Sequence, residues 1–198
     1  MSQRIISVRA KEAKLPLVIL TVESEGKRTK YTITEGTYRE IGCPLSGEEI
    51  DSGALECIER EDEQRRAVAK ALSLLSYTDN NKKRLYSKLV MAGFSSNAAA
   101  NAVKECVMYG YINEERQIEN LVLRYHRELN GPSRIFAKLS ARGYDSKQIR
   151  KVIARLTESG EVDFESAKQE LIEKKLGSDA SDEDVKKLLY KNGYNYHD

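Results

Sequence analysis

Near the start of the chain, apolar and polar residues alternate in the manner of β-strands. The segments LVILTVE (17–23) and TKYTITE (29–35) are rich in β-branched residues, and the SEGKR between them predicts a hairpin loop around Gly26. The segment IISVRAK near the N-terminus predicts a third strand. Residues 1–60 are therefore predicted to form a small N-terminal β-strand extension, which must pack on other elements because two or three strands alone are only marginally stable.

From about residue 62 the apolar residues recur at the three- and four-residue steps of amphipathic helices. This pattern itself repeats every 50 residues, so that Gly93-Phe94 aligns with Gly143-Tyr144 and with Gly193-Tyr194. The period predicts a mainly α protein of tandem three-helix repeats, with repeat 1 at 61–113, repeat 2 at 114–163 and repeat 3 at 164–198. The third repeat is expected to be incomplete, because residue 198 falls before the place of its final helix, either by truncation or in the natural protein. Such tandem units bury faces against their neighbours, which predicts an elongated, curved array.

The second repeat carries clear signals for the ends of its helices. Pro132 suits a first helical turn, where its missing N–H is not needed. Gly143 is placed for a left-handed C-cap, and Tyr144 after it is expected to fold back into the core. Asp145 and Ser146 are natural N-caps for the helix that follows. The three helices of this repeat are predicted at about 114–129, 132–142 and 146–159.

Composition is typical of a soluble, helix-rich protein, with 40% hydrophobic and 32% charged residues. No apolar run approaches the roughly 18 residues that a membrane span needs, and the N-terminus lacks the apolar core of a signal peptide. We therefore expect a cytoplasmic protein that does not contact a membrane.

No cofactor, metal or catalytic centre is predicted. The three cysteines are an odd number without metal-ligand spacing, which indicates reduced thiols, and His126 and His197 stand alone. The sequence contains no phosphate loop, zinc-ligand spacing or recognisable Cys/His pair. The carboxylates of Glu59, Glu61, Asp62 and Glu63 lie beside arginines and are interpreted as surface pairs of the i, i+4 kind. The chain is not expected to be an enzyme.

The net charge of +2 conceals a strong segregation along the chain. Residues 1–64 carry 9 basic and 13 acidic side chains, residues 65–157 carry 18 basic and 7 acidic, and residues 158–198 carry 6 basic and 11 acidic. A basic middle between two acidic ends indicates that the middle meets a polyanion or an acidic protein surface.

Three features resemble the RecX family, small bacterial modulators of the RecA recombinase. The first is AKALSLLSY (69–77), which leads into RLYSKLVMAGF (84–94), and the second is MYGYINEERQIENLVLRYHRELNGPSRIFAKLSARGY (108–144). The third is the short strand-bearing N-terminal extension. The resemblance covers nearly the whole chain and is strongest between residues 67 and 176. The chain departs from the family pattern at TDNNKKRL (78–85), where arginines or a serine and then an acid are usual, and at INEE (112–115).

This resemblance implies a non-enzymatic regulator of recombination and DNA repair. Such proteins bind RecA filaments on single-stranded DNA, in the filament groove or at its growing end. They limit the recombinase's ATP hydrolysis, strand exchange and filament growth, and some also touch DNA. We expect this chain to act as a monomer on the RecA filament, with single-stranded or duplex DNA as a further partner.

The candidate binding surface is basic and lies in the second repeat. Cations spaced four apart line its second and third helices, and the preceding helix adds two more. Over residues 124–155 there are 9 basic and 2 acidic side chains. The predicted filament- or DNA-binding face consists of Arg124, Arg127, Arg134, Lys138, Arg142, Lys147, Arg150, Lys151 and Arg155.

Two targets for this face stay open at the level of sequence. Phosphate neutralisation would give salt-sensitive affinity for nucleic acid, and an acidic groove on a protein filament would attract the same cations. Three-helix units with a basic third helix also resemble helix-turn-helix modules, so a DNA-binding protein that acts without a recombinase is the alternative.

Stacking on single-stranded bases would need exposed aromatic rings. The candidate rings are those of Tyr77, Tyr86, Tyr109, Tyr111 and Tyr125. Of these, Tyr109 and Tyr111 are expected to pack at a helix end instead.

Overall fold

The computed structural model describes residues 3–12, 16–176 and 181–195. Over these ranges a small N-terminal antiparallel sheet precedes a series of helices, which confirms the mainly α class with an N-terminal strand segment. The strands are β1 (Gln3–Lys11), β2 (Leu17–Ser24), β3 (Lys27–Thr34) and β4 (Glu49–Ile50). The helices are α1 (Glu35–Glu40), α2 (Ser52–Tyr77), α3 (Lys82–Met91), α4 (Ser96–Met108), α5 (Glu114–Arg127), α6 (Pro132–Ala141), α7 (Ser146–Glu158), α8 (Phe164–Leu176) and α9 (Asp182–Asn192).

The predicted hairpin and third strand are both present. β2 and β3 pair antiparallel across a two-residue turn at Glu25 and Gly26, whose φ angles of 54° and 75° suit the right-handed twist of the flanking strands. β1 pairs with the other edge of β2, and the short β4 adds to β1, so the strand order is β3-β2-β1-β4. Neither the short helix α1 nor β4 was predicted, and both lie between the end of β3 and the start of α2.

Packing divides the chain into two compact units. The first unit comprises Met1–Thr78 and Leu85–Tyr111, and the second comprises Asp79–Arg84 and Ile112–Asp198. In the first unit one face of the sheet packs on α2. The buried side chains of this core are Ile5, Val18, Leu20, Val22, Ile33 and Ile58.

Helix α2 begins earlier than the apolar periodicity indicated. It starts at Ser52, where the Asp51 carboxylate caps it by accepting the N–H of Ala54 at 2.7 Å. The charged run ECIEREDEQRR (56–66), expected either to lead into the first long helix or to be part of it, is part of it. The apolar period becomes visible only at about residue 62, because this run is mostly charged. The helix therefore spans the predicted boundary between the strand extension and the first repeat.

Carboxylates in the acidic run of α2 connect this helix to β3 by hydrogen bonds. Glu61 and Asp62 accept the backbone N–H groups of Thr34 and Thr32 on the outer edge of β3, at 2.6 and 2.8 Å. Asp62 is 6% exposed and also accepts from Arg66. These carboxylates satisfy donors that an edge strand would otherwise leave unpaired.

The other two carboxylates of this run also reach beyond their own helix. Glu59 accepts the hydroxyl of Tyr31 at 2.8 Å, while Glu63 accepts both the N–H and the hydroxyl of Ser95, the N-cap of α4. The interpretation of the four carboxylates as i, i+4 surface pairs is therefore wrong for three of them, and only Asp62 with Arg66 fits it. Their main partners are on other elements, which helical spacing within α2 does not reveal.

In the second unit, the helices of the predicted second repeat lie close to their expected bounds. Pro132 is the first residue of α6, as predicted, and Gly131 precedes it as N-cap. Asp145 caps α7 by accepting the N–H groups of Lys147 and Gln148, both at 3.0 Å, whereas Ser146 is already the first helical residue. The core that these helices share is made of Ile118, Val122, Tyr125, Ile135, Leu139, Ile149, Val152, Leu156 and Val162.

The glycines that recur once in each sequence period end helices in the left-handed conformation. Gly93, Gly143 and Gly193 have φ angles of 91°, 90° and 79°. This confirms the predicted C-cap at Gly143, where β-branched or bulky residues would be strained. Tyr144 folds back as predicted and packs against the core, with its hydroxyl donating to Gln117 at 3.1 Å.

The residues at these helix ends also make equivalent contacts, one period apart in the sequence. The carbonyl of Asn192 accepts the N–H of Gly131 at 2.7 Å, and the carbonyl of Arg142 accepts the side-chain amide of Asn81 at 2.8 Å. In each case the end of one helix meets the start of a helix in the preceding period. At Gly131 the approach leaves no room for a side chain, since a Cβ there would lie 2.4 Å from the carbonyl oxygen of Gly193.

Helices α8 and α9 form the described part of the predicted third repeat. Leu171, Leu189 and Tyr194 make a small core, and burial raises the pKa of the Tyr194 phenol to about 12. Beyond Asn195, the predicted isolated histidine His197 lies outside the described residues.

Candidate functional site

The cations of α6 are engaged within the second unit. Arg134 donates from Nη1 to the carbonyl of Lys191 at 2.6 Å and to Oδ1 of Asn192 at 3.0 Å. A guanidinium there favourably meets the negative end of the α9 dipole. Lys138 lies 3.7 Å from a carboxylate oxygen of Glu128 and 4.3 Å from the centre of the Tyr125 ring. These two side chains stabilise the packing of neighbouring helices as well as adding charge.

The cations of α5 are exposed, and their contacts are with residues of α5 or directly after it. Arg124 pairs with Glu128 at 3.2 Å, and Arg127 donates to the carbonyl of Leu123 at 3.3 Å. Both side chains are exposed, and an exposed i, i+4 ion pair such as Arg124 with Glu128 stabilises a protein by only about 0.3–0.5 kcal/mol. Both guanidinium groups therefore remain accessible to an acidic partner.

The helix α7 presents the most open positive surface of the predicted face. Lys147, Arg150 and Lys151 are exposed, with Lys147 three and four residues before the other two, on the side away from the buried Ile149 and Val152. The described residues offer no hydrogen-bond or ion-pair acceptor to the Lys147 and Lys151 ammonium groups. We call Lys147, Arg150 and Lys151 the α7 cation strip.

Arg150 and Arg155 both have partners on neighbouring helices. The Arg150 guanidinium lies 5.1 Å from the centre of the Phe136 ring, which orients it without neutralising its charge. Arg155 donates to Glu119 at 2.7 Å, and this hydrogen bond raises the pKa of the guanidinium. Arg155 is thus paired within the unit, while Arg150 keeps its charge available.

The remaining cation of the predicted face is Arg142. It lines a cleft that no sequence pattern indicated. The cleft has a volume of about 280 Å³ and lies between α5, the turn after α6 and the segment that leads into α3. Arg84, Arg124 and Arg142 line it together, so we call it the arginine cleft. In the sequence, Arg84 is notable only as a departure from the family pattern. No local signal links Arg84 to Arg142, because only the tertiary contact through Asn81 brings them together.

The tyrosines considered for stacking differ sharply in exposure. Tyr125 is 6% exposed and lies beneath Lys138 and Arg142, so its ring is too buried to stack on a base. Tyr77, Tyr109 and Tyr111 are 84%, 67% and 58% exposed, all in the first unit. The predicted packing of Tyr109 and Tyr111 at a helix end is therefore wrong, because both rings extend into solvent.

The cysteines and His126 have structural surroundings. Cys43, Cys57 and Cys106 are all free thiols, and burial raises the pKa of Cys106. His126 forms a hydrogen bond with the carbonyl of Asp163 at 3.0 Å and packs edge-on against Phe164. Within residues 3–12, 16–176 and 181–195, no three His, Cys, Asp or Glu side chains are placed to hold a metal ion. In the same ranges, no helix combines the length and apolar character needed to cross a membrane.

Comparison with known proteins finds relatives that share one name. The chain is 32% identical over 164 residues to the regulatory protein RecX of Caldanaerobacter subterraneus subsp. tengcongensis, which covers 83% of this chain and 82% of that protein. It is 30% identical over 118 residues to the regulatory protein RecX of Stenotrophomonas maltophilia R551-3, covering 60% of this chain and 70% of the relative. No protein-family model matches the sequence.

Two solved structures share the fold. A crystal structure of a regulatory protein RecX superposes with a TM-score of 0.71 at 17% identity, over 98% of this chain and 96% of that one. The crystal structure of RecX from Lactobacillus salivarius gives a TM-score of 0.55 at 20% identity, over 69% of this chain and 91% of that one. At such low identity these likenesses concern the fold alone.

Proposed function

Because this chain belongs to the RecX family of regulatory proteins, we propose that it regulates the RecA recombinase by binding RecA filaments on single-stranded DNA. In this proposal it acts without catalysis of its own, as a monomer in the cytoplasm, and limits the ATP hydrolysis, growth and strand exchange of the filament. The family relationship is the observation that carries the proposal.

The charge of the second unit supports a location for the filament contact. The α7 cation strip is exposed, and two of its three charges have no partner among the described residues. Arg124 and Arg127 add two exposed positive charges on α5. Clustered charge of one sign attracts an oppositely charged surface and speeds its association. We therefore assign the first contact with the filament to the strip, and a supporting role to the paired cations Arg134, Lys138 and Arg155.

Inhibition follows from steric and electrostatic effects in this scheme. The basic face of the second repeat docks in the filament groove, while the other repeats bridge an adjacent protomer. Several weak contacts acting together then give a strong attachment. Such an attachment hinders the addition of protomers or the closure that ATP turnover requires.

The tandem organisation that this mechanism uses is also a proposal. Successive three-helix repeats would give the chain the extent to span neighbouring protomers. The support is the equivalence of the contacts from Gly131 to Asn192 and from Asn81 to Arg142, whose members lie one period apart in the sequence. Each repeat in this view presents the end of its second helix to the preceding repeat.

The test is single-stranded-DNA-dependent ATP hydrolysis by RecA, titrated with this protein. We expect inhibition at amounts well below one molecule per RecA protomer, because a bound molecule blocks more than the subunit it touches. Replacing Lys147→Glu and Lys151→Glu together should raise the concentration for half-inhibition by about tenfold or more, since each reversal places like charge against the filament.

The matched control reverses two exposed lysines of β3, Lys27→Glu and Lys30→Glu, which changes the net charge equally. This control should inhibit like the unchanged protein. Equal loss in both variants would mean that net charge, and not the α7 cation strip, determines binding. Absence of any inhibition, together with tight and salt-dependent binding to DNA alone, would favour the alternative of a DNA-binding protein that acts without a recombinase.

A further inference from the structure

We propose that the arginine cleft is a binding site for a phosphate group. Its three guanidinium groups come from three separate segments: Arg84 from the start of α3, Arg124 from α5 and Arg142 from the turn after α6. This inference goes beyond the proposed function, because the chain alone would bind the phosphate and no recombinase is needed.

The backbone that carries two of these arginines is held by a single buried side chain. Asn81 is 1% exposed, and its Oδ1 accepts the N–H of Arg84 at 2.8 Å. Its Nδ2 donates to the carbonyl of Arg142, also at 2.8 Å. The backbones of Arg84 and Arg142 are thereby held relative to one another before any ligand arrives, which lowers the entropy lost on binding.

Further contacts hold the segment before α3 against α5. Glu114 is 9% exposed, accepts the N–H of Lys82 at 2.9 Å and pairs with its ammonium group at 2.8 Å. Gln117 donates to the carbonyl of Asn80 and accepts the hydroxyl of Tyr144. Burial raises the pKa of Tyr144, so this hydroxyl keeps its proton at neutral pH. The walls of the cleft are therefore built on hydrogen-bonded side chains and not on loose loops.

The charges within the cleft are strongly unbalanced. Asp79 is the carboxylate that lines the cleft beside the three arginines. Arg124 forms an ion pair with Glu128, a residue that does not line the cleft. Among the described residues, no hydrogen-bond acceptor meets the guanidinium groups of Arg84 and Arg142, and Arg142 has only the face of Tyr125 at 5.7 Å. Like charges gathered without acceptors favour an anion between them.

The geometry favours phosphate over carboxylate as that anion. A carboxylate is planar, and one or two guanidinium forks occupy its two oxygens. A phosphate is tetrahedral and offers oxygens in several directions, which suits three arginines that approach from different elements. Gln117, Asn120 and Tyr144 add uncharged polar groups to the lining. The phosphate can belong to a nucleic acid backbone or to a free phosphate, and the experiment separates these sources.

The experiment measures binding by the full chain of two probes: a labelled oligo-dT strand of about 15 nucleotides and inorganic pyrophosphate. The test variant carries Arg84→Gln and Arg142→Gln. The control variant carries Lys27→Gln and Lys30→Gln, which remove the same amount of positive charge. We expect the test variant to weaken binding of at least one probe by about tenfold, or 1.4 kcal/mol, and the control by less than about twofold. If the backbone is the source, the slope of log K against log salt for oligo-dT should also fall by about 0.7 per lost phosphate contact.

Several results separate the sources or overturn the proposal. Loss of oligo-dT binding identifies a nucleic acid backbone, whereas loss of pyrophosphate binding alone identifies a free phosphate. Equal effects of the test and control variants on both probes would overturn the proposal, as would no effect of either. Tighter binding of an oligo-glutamate peptide than of both probes, lost in the test variant, would assign the cleft to carboxylates.

The variants must also fold. Both substitutions leave the backbone contacts of Asn81 in place, and circular dichroism with thermal unfolding checks this. A second variant, Arg84→Lys with Arg142→Lys, keeps the charge and removes the guanidinium forks. It should bind with intermediate affinity, since lysine neutralises phosphate without bidentate hydrogen bonds. If it binds like the unchanged protein, the forks are irrelevant and only positive charge matters.

Discussion

The carboxylate of Glu63, on α2, links this helix to the start of α4 in the first unit. It accepts the N–H of Ser95 at 2.8 Å and the Ser95 hydroxyl at 2.7 Å, while the Ser95 oxygen accepts the N–H of Ala98 and caps α4. These hydrogen bonds hold the pKa of Glu63 below its ordinary value. The charged form is therefore bound more strongly in the folded protein than in the unfolded chain.

Replacing Glu63 by glutamine should lower the free energy of unfolding at neutral pH by about 1 kcal/mol, because the charge-assisted hydrogen bonds weaken. A group with a lowered folded pKa stabilises the protein above its unfolded pKa, about 4.3 for glutamate. That contribution is lost as the pH falls through the folded pKa. The difference between the two proteins should accordingly be constant near neutral pH and shrink below about pH 4.3. Urea unfolding at a series of pH values measures it.

The control for this prediction is Glu56→Gln, on the same helix. Glu56 is exposed and has no hydrogen bond or ion pair with the described residues. Its replacement should change stability by less than about 0.5 kcal/mol at every pH. If Glu63→Gln behaves like Glu56→Gln, the contact with Ser95 contributes nothing to stability.

At the scale of elements, the close contact between Gly131 and Gly193 decides how α9 packs on α6. Gly131 has an ordinary negative φ of −73°, so the backbone itself does not require glycine there. The reason lies in space, because a Cβ would lie 2.4 Å from the carbonyl oxygen of Gly193. Arg134 supports the same junction through the carbonyl of Lys191.

Gly131→Ala should therefore push the end of α9 away from α6. We expect a destabilisation of about 1–3 kcal/mol, the usual range for overpacking, and faster hydrogen exchange along α9. The matched substitution is Gly36→Ala in α1, where the nearest atom to a new Cβ is 3.7 Å away. This control should leave stability unchanged or raise it by about 0.5 kcal/mol. Unchanged exchange along α9 in the Gly131 variant would show that the helix tolerates the displacement.

At the scale of the whole molecule, charge and repetition are the two features with consequences for function. Residues 65–157 carry a net charge of +11 and separate two acidic segments of −4 and −5. Segregation of this kind directs a molecule toward an oppositely charged surface and makes its association salt-dependent. It does not by itself distinguish a protein filament from DNA.

The recurring three-helix pattern in the sequence predicts an elongated, curved array, which solution scattering can check. A compact chain of 198 residues has a radius of gyration of about 16 Å. An array of stacked repeats should exceed this value and give an asymmetric distribution of interatomic distances, at a scattering mass near 22.4 kDa for a monomer. A radius no larger than that of a compact chain would contradict the elongated array, and twice the mass would contradict the monomer.

The amino-acid sequence alone determined most of the longer elements and several of their ends. The hairpin at Gly26, the start of α6 at Pro132 and the helix end at Gly143 were all predictable. Their signals are local, since glycine permits positive φ, proline suits a first helical turn, and apolar spacing reflects the faces of a helix or a strand. The resemblance to the RecX family was carried by particular segments, at 69–77, 84–94 and 108–144.

Only the tertiary structure decided what each charged side chain does. Glu61 and Asp62 look like surface residues in the sequence, yet they satisfy the edge of β3. Arg134 and Lys147 look equivalent, yet the first caps α9 and the second is exposed. Asn81 joins Arg84 to Arg142, which lie far apart along the chain. A charged side chain is long and can serve several partners, so its role depends on which segments folding brings within hydrogen-bonding distance.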